Sequence, residues 1–400
     1  MAAGARGVRG DAAAWRSLAG PEAPLLESLE GIEAPPAPSV IERLRALHPA
    51  DAVAAAIELS IARTRARAKF GERARTLWCD RQGVEMASGP RVARRKAARF
   101  AEAGASEIDD LCCGIGGDLI ELARVARATG IDRDPVRAWM AAMNSGAPTT
   151  CSDALREPGS APFAHADPAR RDGTGARVTG SDALEPPVAA LRAALAGRRG
   201  FALKIGPGMD LAASELDGAD ELEFLSEDGR LVQQVVWSGA LAASPGMRRA
   251  TKACTGLTVA GRPDPVPLGD GCMQPMLMVP DPALERARLL GVVATRIGAV
   301  EPAPGLGIVT ARSAPADPAA LGWFEAFEVV DELPARESTV AGWLAARGAG
   351  IVTVRTRGDA CDPDRWQSRL RGRGDEPWTV FVLRVGDRRR AYAVRRACGA

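Results

Sequence analysis

Two short stretches of the chain carry residues whose types and spacing could do chemistry. The first, residues 109–134, reads DDLCCGIGGDLIELARVARATGIDRD. An acidic and apolar run enters a turn holding Gly114, Gly116 and Gly117; an amphipathic segment follows, and a second strand-like run ends at Asp132. Glycines in such a turn let the backbone approach a ligand closely, because no Cβ intervenes and positive φ is open to them. Asp132 would sit at the tip of the next parallel strand, where a carboxylate can accept from two ribose hydroxyls. The spacing is GxGG, whereas GxGxxG is the form that rests a diphosphate on a helix N-terminus. Asp110, immediately before the turn, would repel a diphosphate but suits a cationic sulfonium or ammonium. Alone, the stretch specifies a nucleoside-containing cofactor.

The second stretch is AHADPARR, residues 164–171. It ends a fourth predicted strand, Phe163 to Ala166, at the carboxyl edge of the sheet, where open α/β sheets place their chemistry. A fifth predicted strand, Phe201 to Ile205, carries Lys204 toward the same rim as Arg170 and ends in the rigid loop KIGPG.

DLCCGIGGD resembles the first motif of the class I S-adenosylmethionine-dependent methyltransferases, in the form found in several RNA-modifying members. The resemblance implies that Asp110, Gly114, Gly116 and Gly117 line the methionine end, with Cys112 and Arg133 in the same cofactor-binding set. It implies that Asp132 holds the ribose and that Asp153, one strand further across, accepts from the adenine amino group. AHADPARR stands where the family carries an Asp or Asn followed by two prolines and an aromatic, which makes Asp167 and Pro168 the catalytic candidates. Here Ala169, Arg170 and Arg171 replace the second proline and the ring. An arginine plane can stack on a base or hold a phosphate, so Arg170, Arg171 and Lys204 are the substrate-binding candidates. Asp167 is expected to position the acceptor or take its proton. A covalent route to pyrimidine C5 would need a cysteine near this motif, and none lies between Cys151 and Cys254.

Composition narrows the alternatives. Four hundred residues with 46% apolar content can bury two or three cores. Two His and one Tyr leave almost no material for a histidine triad or zinc site, so no metal is expected. The eight Cys form no CxxC and read as reduced thiols. No apolar run reaches membrane-spanning length and the first residues lack the apolar core of a signal peptide, so a cytoplasmic protein is expected, without membrane partners. Net charge is only +2, yet Ile61 to Phe100 holds twelve Lys and Arg against three acids, and Ile351 to Ala400 twelve Arg against six. Clustered arginine suggests a polyanion surface, with a solvated helix face as the equal alternative.

The elements that must position these residues follow from patterning. Residues 1–88 read as a helical region, with a helix at Asp51 to Phe70 placing Val53, Ile57 and Ile61 on one face. Residues 89–260 read as an α/β, Rossmann-like, seven-stranded domain, which the resemblance makes a class I methyltransferase domain. It opens with a basic amphipathic helix, Gly89 to Ala103, and has its first crossover helix at Leu119 to Arg127. Proline and glycine accumulate over 261–281, which reads as a linker. Residues 282–331, with a helix at Pro282 to Gly298, resemble the ferredoxin-like unit of a group of bacterial methyltransferases. Residues 332–400 resemble the THUMP-like domain of that group. Both are small α+β C-terminal domains. True THUMP domains bind RNA, so the resemblance implies an RNA methyltransferase; a small-molecule or protein acceptor, and a non-catalytic cofactor-binding scaffold, are the other readings.

Overall fold

The computed structural model describes residues 11–170, 184–211 and 215–397. They form two compact units: one takes the chain to Leu222 together with Gln233–Gly246, the other takes Glu223–Val232 and the chain from Met247 onward.

The first unit begins with α1 (Ala12–Ser17), α2 (Ala23–Ser28), α3 (Pro38–Leu47), α4 (Ala50–Phe70), α5 (Arg81–Met86) and α6 (Pro90–Glu102). α4 is rich in alanine and buries Val53, Ala56, Leu59 and Ile61, while Ile57 is only half-buried. Its core is shared with the sheet's own helices: Trp15, Leu25, Leu59 and Phe70 cluster with Ile115, Ile120 and Met140.

The α/β part follows as β1 (Glu107–Leu111), α7 (Leu119–Leu122), β2 (Arg127–Asp132), α8 (Pro135–Ser145), β3 (Thr149–Cys151) and β4 (Phe163–Ala166), then the short pair β5 (Ala169–Arg170) and β6 (Leu184–Glu185). α9 (Val188–Ala194), β7 (Gly200–Ile205), β8 (Glu221–Glu227), most of which is counted with the second unit, and β9 (Arg230–Gly239) follow. The strands follow the order β3-β2-β1-β4-β7-β9-β8 within a nine-stranded sheet, two strands more than the seven expected. β3, β2, β1, β4 and β7 are parallel, and β9 runs antiparallel to β7. Order reverses between β1 and β4, so their carboxyl ends open a crevice there. The first crossover helix is shorter than its pattern predicts: α7 ends at Leu122, and the chain turns through Ala126 N–H to Leu122 O before β2.

The second unit has the hairpin β10 (Arg248–Lys252) and β11 (Thr258–Gly261), then β12 (Met276–Pro280), α10 (Pro282–Arg286), α11 (Leu290–Arg296), β13 (Val309–Ala311), α12 (Pro318–Leu321) and β14 (Phe324–Pro334). It ends with α13 (Glu337–Ala345), β15 (Ala349–Arg357), α14 (Pro363–Leu370), β16 (Glu376–Val385) and β17 (Arg388–Arg396). Six strands make one sheet in the order β13-β12-β14-β17-β16-β15. Two-residue alternation along β16 divides its side chains: Val380 and Val382 pack with Val340, Leu344 and Trp366, whereas Phe381 and Leu383 pack with Leu277, Phe327 and Tyr392.

Three differences from the sequence reading have local causes. The stretch 261–281 is not wholly a linker, because MLMVP at its end is a fully buried strand, β12, hidden between prolines. The helix expected over Pro282 to Gly298 is two, since Arg288 adopts φ 57°, in the left-handed region that ends a helix. The expected boundary at 331/332 falls inside β14, which hydrogen-bonds to β12 on one side and β17 on the other.

Candidate active site

The glycine turn follows β1. Cys112, Gly114 and Gly116 all take positive φ, at 57°, 56° and 84°. The three glycines do different work. A Cβ on Gly114 would meet nothing within 4 Å, one on Gly116 would lie 3.0 Å from Ala141 Cα of α8, and one on Gly117 3.0 Å from Ala87 Cβ. Gly114 and Gly117 line a cavity of ≈ 460 Å³ over the ends of β1, β2 and β4, and Gly116 faces α8 instead.

Asp132 ends β2 beside the turn. Its Oδ2 accepts from Gly114 N–H at 2.8 Å and its Oδ1 from Asp134 N–H at 2.9 Å. Each oxygen keeps a lone pair for a hydroxyl donor. Burial raises Asp132 above the usual carboxylate range, against those two amide bonds. Arg133 also lines the cavity and pairs with Glu185 at 2.6 Å. Asp153 lines it while accepting from Leu155 N–H at 2.8 Å. Cys112 lines it too, its thiol pushed up by burial and by Asp132.

Beneath the cavity lies a buried ionic chain that only Asp110, Asp167 and Lys204 announced in the sequence. Asp110 Oδ1 is 2.7 Å from His165 Nδ1, and His165 Nε2 is 3.2 Å from Lys96 Nζ. An ammonium only donates, so Nε2 is the acceptor, the imidazole is neutral and Nδ1–H donates to Asp110. Lys96 Nζ also donates to Ser88 Oγ at 3.0 Å and forms an ion pair with Asp118 Oδ1 at 2.7 Å. Ser88 Oγ donates to Asp118 Oδ2 at 2.7 Å and accepts from Gln233 Nε2 at 2.7 Å. Desolvation draws Lys96 below its usual range, opposed mainly by Asp118. Asp118 is held well below the carboxylate range: desolvation would raise it, and the ammoniums of Lys96 and Lys204 outweigh that.

The remaining oxygen of Asp110, Oδ2, is buried and has no hydrogen-bond partner, and Asp110 lines the cavity. Burial raises Asp110 above its ordinary value, with His165 opposing.

Asp167 follows β4, its N–H bonded to Leu111 O at 3.1 Å and its Oδ2 2.6 Å from Lys204 Nζ. Lys204 also donates to Met86 O at 2.8 Å. The sequence aims Lys204 at substrate; the structure commits it to Asp167 and to the end of α5, and the carboxylates of Asp167 and Asp118 raise its pKa against desolvation. Asp167 and Ala169 line the cavity, Pro168 is buried behind them, Arg170 closes β5, and Arg171 lies outside the described residues. Met86, Ala87 and Ser88 form a further wall. Lys69 of α4 holds that wall by donating to the carbonyls of Val84, Glu85 and Ala87 at 2.6, 3.0 and 3.0 Å. Asn144 of α8 ties it to the turn, donating to Trp78 O at 2.7 Å and Ile115 O at 2.8 Å and accepting from Trp78 N–H at 2.8 Å.

The sheet order, the glycine turn and the acid at the tip of β2 define a class I methyltransferase fold with its cofactor crevice. Comparison with known proteins agrees. Over 343 residues, 82% of this chain and 92% of the relative, it is 31% identical to an uncharacterized S-adenosylmethionine-dependent methyltransferase found in two strains of Mycobacterium tuberculosis. A solved structure from Porphyromonas gingivalis, provisionally named a methyltransferase, superposes with TM-score 0.73 at 19% identity over 90% of this chain and 98% of that one, which shows a shared fold. Residues 324–396 match the family described as THUMP domain-like. The chain belongs to the S-adenosylmethionine-dependent methyltransferases, and it carries a THUMP-like domain at its C-terminal end.

No group of three His, Cys, Asp or Glu among the described residues could hold a metal. No helix among them is long and apolar enough to cross a membrane.

Proposed function

We propose that this methyltransferase acts on an RNA and that Asp167 positions the acceptor. The observation that carries the site is the unpartnered, buried Oδ2 of Asp110 at the cavity. A cationic ligand gives that oxygen a partner, and ≈ 460 Å³ is of the size that takes a nucleoside-bearing molecule. On this reading Asp110 takes the cationic methionine end, the backbone at Gly114 and Gly117 lies against the ligand, and Gly116 braces the turn from behind. Asp132 takes the ribose hydroxyls, Asp153 the adenine amino group, and Cys112 and Arg133 complete the wall. Bound S-adenosylmethionine supplies a methyl carbon on a sulfonium, already an activated donor.

What the protein adds is orientation. Lys204 and the bond to Leu111 O hold Asp167 in one place, so its carboxylate can accept from an amine or hydroxyl and aim the acceptor. Pro168 stiffens the backbone just past it. Arg170 and Arg171 take the substrate where the motif this stretch resembles carries an aromatic ring. The THUMP domain-like match and the exposed Arg371, Arg373, Arg384, Arg388 and Arg389 of the second unit support RNA as the acceptor class, and with it a cytoplasmic setting. In this reading the first unit serves cofactor and chemistry and the second unit serves the RNA.

Incubating the protein with cofactor labelled in its methyl group and with fractionated lysate tests the proposal. Label is expected in the RNA fraction. Label in protein or small molecules alone assigns a different acceptor, and no label in any fraction, with cofactor binding intact, makes the chain a non-catalytic scaffold.

A further inference from the structure

A second hollow lies among the N-terminal helices, ≈ 350 Å³ in volume. Ser60, Arg63, Thr64 and Arg67 line it from α4, at the i, i+3, i+4, i+7 spacing of a single helix face. Leu26 and Glu27 of α2 stand opposite, and Glu30, Arg75 and Thr76 close it. None of these residues belongs to the cofactor cavity.

Charge in this hollow is unbalanced in a specific way. Arg75 pairs with Glu30 at 3.4 Å, both largely exposed. Arg63 is half-buried, its Nε donates to Leu77 O at 2.9 Å and its guanidinium lies 5.4 Å from the Trp78 ring, so it is fixed without a carboxylate in salt-bridge range among the described residues. Desolvation lowers its pKa, only partly offset by Cys79 and by the carboxylate of Glu30, which lies beyond salt-bridge range. Arg67, one turn along, has no ion pair among the described residues either. Two like charges at i, i+4 repel unless something lies between them. With Arg63 held in place, a tetrahedral oxyanion that takes N–H groups from both guanidiniums satisfies the pair, and arginine is the side chain suited to it.

We propose that this hollow holds one phosphate group of the RNA acceptor, a second contact remote in function from Asp167; the proposal rests on the RNA reading above. Glu27 limits the site to a single phosphate, since a longer anionic track would meet its carboxylate.

The test is Arg67→Ala, which removes an exposed charge without touching the core, beside Arg63→Lys, which keeps the charge and loses the fork. A mixed-sequence RNA oligonucleotide is titrated into the full-length protein over a range of salt, and cofactor binding is followed by calorimetry in parallel. RNA affinity is expected to fall about tenfold in R67A, with the log–log salt slope reduced by about one and cofactor heat unchanged. R63K is expected to weaken RNA in the same direction. Unchanged affinity and slope in both variants would overturn the proposal. Should the wild type bind no RNA, the RNA reading itself fails, and inorganic phosphate at constant ionic strength judges the hollow alone. A phosphate-induced rise in Tm that R67A lacks then retains a phosphate site without RNA, and no rise in the wild type removes it.

Discussion

Asp110 decides most at the scale of single residues. His165 takes one of its oxygens and the fold leaves the other without a partner, so its charge is worth most when a cation is bound. Burial raises its pKa above the ordinary 3.8, so in the free protein it keeps a proton to higher pH than an exposed aspartate does. A cation favours the carboxylate. Cofactor affinity should therefore rise with pH through that raised range and weaken below it, while Asp110→Asn should bind at least tenfold more weakly and lose the dependence. Calorimetry from about pH 4 to pH 8 checks both, and an Asn variant with wild-type affinity would remove Asp110 from the site. Asp167 separates from it cleanly. Asp167→Ala should abolish methyl transfer with cofactor affinity nearly intact, and Lys204→Met, which frees Asp167 to move, should lower kcat by about 10²-fold with little change in cofactor Kd. A loss of cofactor binding in D167A would instead make Asp167 a structural residue.

Among the elements, the glycine turn shows how much of the site could be read in advance. The residues GIGG, the acid before them and the acid ending β2 are local in sequence, so their strand–turn–helix–strand context was legible, as were β4, β7 and the hairpin of β16 and β17. The distinct tasks of the glycines were not, because they depend on what packs behind the turn. Gly116→Ala forces a methyl to 3.0 Å from the α8 backbone at φ 84°, and should cost roughly 1–3 kcal/mol of stability, read as a lower Tm. Gly114→Ala has open space around it, so its larger loss should be in cofactor affinity. Equal Tm losses in the two would refute this division. Lys96 and Ser88 were invisible for a related reason. On α6 a lysine among arginines reads as a solvated basic face, and only the tertiary placement of α6 over Asp118 and His165 turns it inward. Asn144 is of the same kind: its three bonds join the segment at Trp78 to the turn at Ile115, and Asn144→Ala should cost about 1–3 kcal/mol by stranding buried backbone groups.

The whole molecule is nearly neutral, at +2, yet its exposed arginine is concentrated, and the case for a polyanion partner stands on that distribution. Many arginines of the second unit are already engaged: Arg355 with Glu325, Arg357 with Glu285, Arg365 and Arg369 with Glu337, and Arg390 with Glu332. Those pairs shape the unit and would have to be broken before they could meet phosphate. Arg388 and Arg389 are different, since they stand exposed where β17 leaves its tight turn, opposite Val385 and Arg384 of β16. Replacing both by Ala leaves the sheet hydrogen bonds intact, so folding should be unchanged within about 0.5 kcal/mol. Each arginine that grips a phosphate should, when removed, lower the log–log salt slope of RNA binding by about one, evenly across RNA sequences, because backbone contacts position a nucleic acid without reading it. Binding of several unrelated RNA oligonucleotides at two salt concentrations measures this. If the double variant keeps the wild-type slope, or if the wild type itself shows a flat salt response, the second unit does not grip a phosphate backbone and its arginines serve the fold alone.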